Sequence, residues 1–297
     1  MNYTRITVFL LCISMLSWSC ENSAVNEGSG DSLSMPGDNA VTAENVLIYI
    51  PSPIETAELL KQAGADYDMG LPNKKELVSR YTSTAAAALN LGVYGADLAF
   101  AGIFNQTNET MKYMECTRKL ADALHVTAAF SDDRKTRLEN NINNRDSVLS
   151  LITDAYSDCD GLLRDNNQGE ASTFMIAGGW IEGLYLACKI AEKTNNTEIR
   201  VRIAEQRYSL SKLIAMMEKL TSVEGQQLLT ELRELRQIFD LIPAQAVTPT
   251  TITQDSSTGI TVLGEEAPST NSGLNSLEFN RITEKITLIR NGITSKN

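Results

Sequence analysis

Histidine occurs once in the 297 residues, at His125, and that scarcity excludes whole classes of chemistry. An H-E-x-x-H zinc site needs two imidazoles, and a Ser-His-Asp or Cys-His centre would have to use His125 itself. His125 sits in "DALHVT", at the end of a helical pattern, where an imidazole faces the helix dipole or solvent. Five cysteines include no C-x-x-C pair, so zinc ribbons and thioredoxin-type motifs are ruled out. No glycine-rich phosphate loop is present. Basic charge is also short: 26 Lys and Arg face 37 Asp and Glu, for a formal net charge of -11. Such a balance repels phosphate backbones, so no nucleic-acid partner is expected. Asp158, Asp160 and Gly161 in "DAYSDCDGLLRD" invite a calcium reading. The order D-x-[DN]-x-[DN]-G and its closing glutamate are missing, so a solvated acidic helix end is expected instead. "TELRELRQ" is an ordinary charged helix face. No catalytic residue, metal ligand or cofactor is assigned.

What is present begins with "MNYTRITVFLLCISMLSWSC": Arg5, an apolar run from Ile6 to Leu16, then small residues leading to Cys20. This pattern predicts an export signal peptide over residues 1–19 and a lipoprotein anchored to the membrane through lipidated Cys20. Ser17 stands where lipoproteins usually carry Leu, and Trp18 is bulky, while Leu16 lies one position upstream. An ordinary secreted protein or an uncleaved anchor is the alternative, although the run is short of the roughly 20 residues a spanning helix needs. Removal of Arg5 leaves 25 basic against 37 acidic residues, or -12. Cys12 departs with the leader and Cys20 carries lipid, leaving Cys116, Cys159 and Cys188. Three cysteines allow at most one disulfide, and their helical surroundings favour buried thiols.

Residues 20–43 are Gly/Ser-rich, polar and without period, which predicts a flexible tether spanning roughly 25–30 Å. The helical domain runs over 44–243, a Thr/Ser-rich loop over 244–272, and a C-terminal helix over 273–297 docks back onto the domain. The fold class is all-α, a multi-helix bundle or short helical-hairpin array of about seven to nine helices. One helix is expected from Lys74 toward Phe104, and Asn108 caps the next. Asp132 or Asp133 caps the segment after that, which is one long helix or two. Asn196 or Thr197 caps a later one. Leu228, Leu232, Leu235 and Ile238 mark another helix, ended by Pro243. Within 244–272, "GITVL" reads as a short strand. The C-terminal helix turns Leu277, Ile282, Ile286 and Ile289 to one face.

Small residues recur every three or four positions in two apolar stretches: Ala85, Ala88, Gly92, Ala96 and Ala99, then Gly179, Gly183, Ala187 and Ala191. Each helical Gly costs about 1 kcal/mol against Ala, a cost that close approach of two helix axes offsets. The two stretches therefore form the expected central pair. Gly92, Tyr94, Leu98 and Ala101 also echo Gly178, Trp180, Leu184 and Ala187 at an offset of 86. A duplicated helical hairpin accounts for this echo, and coincidence of four positions is the competing account. Asp97, Glu182 and Lys189 interrupt both stretches and weaken a membrane-spanning reading.

Asn90, Tyr94 and Asp97 fall on one helical face. In one reading Asp97 accepts hydrogen bonds from a helix terminus or an arginine and the stripe sets packing register. In the other, the stripe and Trp180, Glu182 and Tyr185 line a ligand pocket between helices.

"NLGVYGADL", Asn90–Leu98, followed by "KLADAL", Lys119–Leu124, resembles a family of uncharacterised all-helical lipoproteins of Bacteroidetes with an N-L-G-V-Y-x-x-D-L core. The resemblance implies a bacterial envelope address and a helical fold, and leaves the activity open. The expectation is an outer-membrane lipoprotein, facing periplasm or surface, that acts as a binding or scaffold component toward a small ligand or another envelope protein. The alternatives are a structural or assembly subunit with no small-molecule site, and a carboxylate-based hydrolase. A binding role requires Asp97→Ala to lose ligand without unfolding. A structural role requires the same change to cost roughly 1–3 kcal/mol.

Overall fold

The computed structural model describes residues 50–242 and 274–295, with the backbone of 252–254 and 261–263. The leader, the tether, Cys20 and Pro243 lie outside the described residues. The fold is all-α. Nine α-helices occur among the described residues: α1 (Pro53–Gln62), α2 (Thr84–Ile103), α3 (Thr107–Ala123), α4 (Asp132–Asn140), α5 (Arg145–Asp165), α6 (Gly169–Thr194), α7 (Thr197–Met217), α8 (Val223–Phe239) and α9 (Ser276–Ser295). Short 3₁₀ segments, Lys75–Arg80 and Thr127–Phe130, precede α2 and α4. Two three-residue strands, β1 (Ile252–Gln254) and β2 (Thr261–Leu263), pair antiparallel with Ile252 opposite Leu263.

Local chemistry sets the boundaries, and several differ from the expected ones. The single helix from Lys74 to Phe104 is broken. Ser83 caps α2 by accepting from the Ala86 N–H at 3.2 Å, while Asn73 and Lys74 spend backbone groups on side chains of other elements. Helix α3 starts before Asn108, at Thr107, after a Gln106 that makes no side-chain cap. Ser131, not Asp132 or Asp133, caps α4, and a separate helix, α5, follows with Asn144 as its cap. Asn196 caps α7. Asn105, His125, Asn167 and Asn195 adopt left-handed backbone where α2, α3, α5 and α6 end. His125 thus serves as an exposed helix stop. On α9, Ile282, Ile286 and Ile289 are buried with Phe279 and Ile293, whereas Leu277 faces out at 60% exposure.

Helices α2 and α6 form the centre, sheathed by the others. From Ala86 to Ile103 every residue of α2 is buried, which is the signature of a helix apolar all round. Both helices are long and apolar enough to cross a membrane by length and composition, but 100% and 89% of their apolar windows are buried by the other helices. Their axes approach to backbone contact. A methyl group on Gly92 would collide with the Met175 carbonyl and the Gly179 N–H; one on Gly178 would collide with the Leu89 carbonyl. These contacts are reciprocal at an offset of 86, since Gly92 maps onto Gly178 and Leu89 onto Met175. The two helices run parallel, with equivalent positions side by side. Gly183, counted in the expected small-residue row, packs on Thr56 of α1 instead, one helical step away from the α2-facing side. Cys116, Cys159 and Cys188 are buried free thiols.

Candidate functional site

The candidate residues divide between the two central helices. Asn90, Tyr94 and Asp97 on α2 are fully buried, as is Glu182 on α6. Asp97 and Glu182 meet across the seam. Tyr185, three residues beyond Glu182, shares its face, and its ring lies 4.7 Å from the guanidinium of Arg290 on α9. Trp180 does not join them. Two residues before Glu182 it points elsewhere on the helix, and its Nε1–H donates to Gln206 Oε1 of α7 at 3.0 Å.

The stripe bonds mainly to backbone that regular structure leaves free. Tyr94 Oη donates to the Lys74 carbonyl at 2.7 Å, and Tyr113 Oη of α3 donates to the Asn73 carbonyl at 3.1 Å. The Asn73 N–H donates to Asp97 Oδ2 at 3.0 Å. Asn73 Nδ2 donates to Tyr81 Oη, which donates to the Thr294 carbonyl, each at 3.0 Å. Asn90 Nδ2 donates to the Ala86 carbonyl at 2.9 Å and to the Ile293 carbonyl at 3.3 Å. The network therefore ties segment 73–81 and the end of α9 to the centre. Buried polar groups need such partners, because each one left bare costs about 1–3 kcal/mol.

Charge enters through Arg290. Its Nε donates to Glu182 Oε2 at 2.9 Å and its Nη2 to Oε1 at 3.1 Å, a two-pronged fork. Burial works against the guanidinium's charge, but Glu182 outweighs it and holds Arg290 above its ordinary pKa. Asp97 goes the other way for an acid. Burial first, then the negative charge of Glu182, raises its pKa well above the usual carboxylate value. Burial likewise raises the phenols of Tyr94 and Tyr113, and pushes the Cys116 thiol up to about 11.

Arg290, Asn73, Tyr81 and Tyr113 escape the sequence reading. Arg290 left a trace: it follows Ile286 by four and precedes Ile293 by three, a lone cation inside an apolar stripe. Asn73 left none, since only the tertiary fold brings its backbone to Asp97. The acidic residues of the calcium-like segment are engaged elsewhere. Asp160 takes the Arg164 fork at 2.9 and 3.0 Å and the Ser172 hydroxyl, and Asp158 pairs with Arg134 at 2.7 Å. Among the described residues, no three His, Cys, Asp or Glu side chains gather as a metal cluster. What the Asp97–Glu182–Arg290 arrangement offers chemically is a dry place to hold a proton and a guanidinium. Comparison with protein-family models, with curated proteins and with solved structures finds no match for the chain.

Proposed function

We propose that this chain is an exported, lipid-anchored helical component of the bacterial cell envelope, acting as a scaffold or assembly subunit. One observation carries the scaffold reading. The donors of the polar stripe (the Tyr94 hydroxyl, the Asn90 amide, the Arg290 guanidinium) bond to the chain's own carbonyls and to Glu182. Groups so engaged set helix register rather than greet a ligand. The leader-like residues 1–19 before Cys20 and the resemblance to Bacteroidetes lipoproteins support the envelope address. A small-ligand role draws on Asn90 Oδ1, which is buried without a hydrogen-bond partner.

The test has two arms. Metabolic labelling with an alkynyl fatty acid should tag the wild-type chain and leave Cys20→Ser untagged and released from membranes; equal labelling of both would refute the anchor. Chemical cross-linking in native membranes followed by mass spectrometry should recover a reproducible envelope protein. Recovery of a stoichiometric small molecule by native mass spectrometry, with no protein partner, would favour the binding role instead.

A further inference from the structure

Two carboxyl groups and one guanidinium converge where α2, α6 and α9 meet, and their hydrogen bonding does not balance without a proton. Both Glu182 oxygens are taken by Arg290, at 2.9 and 3.1 Å. Asp97 Oδ2 accepts from the Asn73 N–H at 3.0 Å, while Asp97 Oδ1 is buried with no donor. An ionised carboxylate with a bare oxygen in a dry interior bears a desolvation cost and repels Glu182. A protonated carboxyl becomes a donor, and Glu182 is the acceptor within its reach. We propose that Asp97 and Glu182 hold one proton between them at neutral pH, and that this proton keeps α2 and α6 closed on each other where the two acids meet.

Arg290 is the cation that faces Asp97, and its fork goes to Glu182. Glu182 and Tyr185 face Asp97 from α6, Arg290 from α9, Tyr113 and Cys116 from α3, Tyr67 from the segment after α1, and Tyr94 from its own helix. Lys75, near Tyr113, is engaged with Glu109. Burial raises the pKa of each of these phenols and of the thiol, so all stay neutral at pH 7. The folded state therefore binds the proton more tightly than the unfolded chain. The stability this confers is complete below the ordinary carboxylate pKa of about 4, and it is lost as pH rises through the pair's folded value. The seam between α2 and α6 bears that loss, because two carboxylates would then face each other across it and repel.

Infrared spectroscopy and hydrogen exchange on the full chain in detergent test the proposal. Wild type at pH 7 should show a protonated-carboxyl C=O band that disappears in Asp97→Asn and fades as pH is raised. Over the same pH range, peptides of α2 and α6 around the two acids should lose exchange protection, after correction for intrinsic rates, in wild type but not in Asp97→Asn. A missing band in wild type overturns the proposal even if the variant does not fold. So does a protection profile that falls equally in both proteins.

Discussion

Adding one methyl group at Gly178 should be far more damaging than helix propensity allows, and adding one at Gly161 should help. Gly161 lies in α5 with nothing within 4 Å of the position a Cβ would take, so Gly161→Ala gains up to about 1 kcal/mol of helix propensity. For a domain of this size that corresponds to about 2–4 °C in Tm. Gly178→Ala gains the same propensity, but its methyl lands on the Leu89 carbonyl. That obstacle is backbone inside a hydrogen-bonded helix, so no rotamer change relieves it. Helices α2 and α6 must separate, and the loss spreads to every side chain wedged along their seam. Overpacking a core costs about 1–3 kcal/mol where side chains can yield. Here they cannot, so the upper end applies and outweighs the propensity gain. Urea melts followed by circular dichroism should place Gly178→Ala below wild type by about 2 kcal/mol or more and Gly161→Ala slightly above it. If both variants shift in the same direction, the two central helices do not touch as described.

Cys116, Cys159 and Cys188 are buried, and burial pushes their thiols up to about 11, 12 and 12, so a thiol-specific chromophore should label none of them until the chain is unfolded, then all three. Arg290→Met keeps the length and apolar stem of the side chain but strands Glu182, which should cost about 3–5 kcal/mol in chemical denaturation. A near-neutral result would mean that the fork does not form in solution.

The helical architecture was legible because periodicity and small-residue spacing are local signals. The central pair could be named from "NLGVYGADLAFAGIF" and "GGWIEGLYLACKIA" alone, since paired rows of small residues in apolar helices let two helix axes come close and so offset the cost of each glycine. The offset of 86 was visible as an echo, and the fold makes the contacts of Gly92 with Met175 and of Gly178 with Leu89 reciprocal at that offset. Caps were less legible. Ser131 lies beside Asp132 and Asp133, all three able to cap, and only the backbone geometry chooses among them. The polar network was half legible. Asp97 and Glu182 stand out as carboxyls in apolar helices, but their partners come from Asn73 and Arg290, 24 and 108 positions away. No pattern within a helix-length window encodes that meeting. Trp180 was misgrouped for a simpler reason: closeness in sequence to Glu182 does not place it on the same helix face.

The parallel pairing of α2 and α6 also explains why the carboxyls are inequivalent. At an offset of 86, Asp97 corresponds to Gly183 and Glu182 to Ala96, so the two acids sit one residue from exchange positions and approach from opposite helices. Two such acids would call for two cations. Helix α9 brings one, Arg290, and it forks onto Glu182. The two isosteric amide substitutions should then differ in outcome. Asp97→Asn keeps an acceptor for the Asn73 N–H and supplies an amide donor toward Glu182, so its urea midpoint at pH 7 should stay within the usual range of a surface change, about 0.5 kcal/mol. Glu182→Gln takes the negative charge from the Arg290 fork and leaves a guanidinium buried against a neutral amide, at a cost of about 3 kcal/mol or more. Equal losses in the two variants would mean that both acids are ionised and share Arg290, and the arrangement would need no proton.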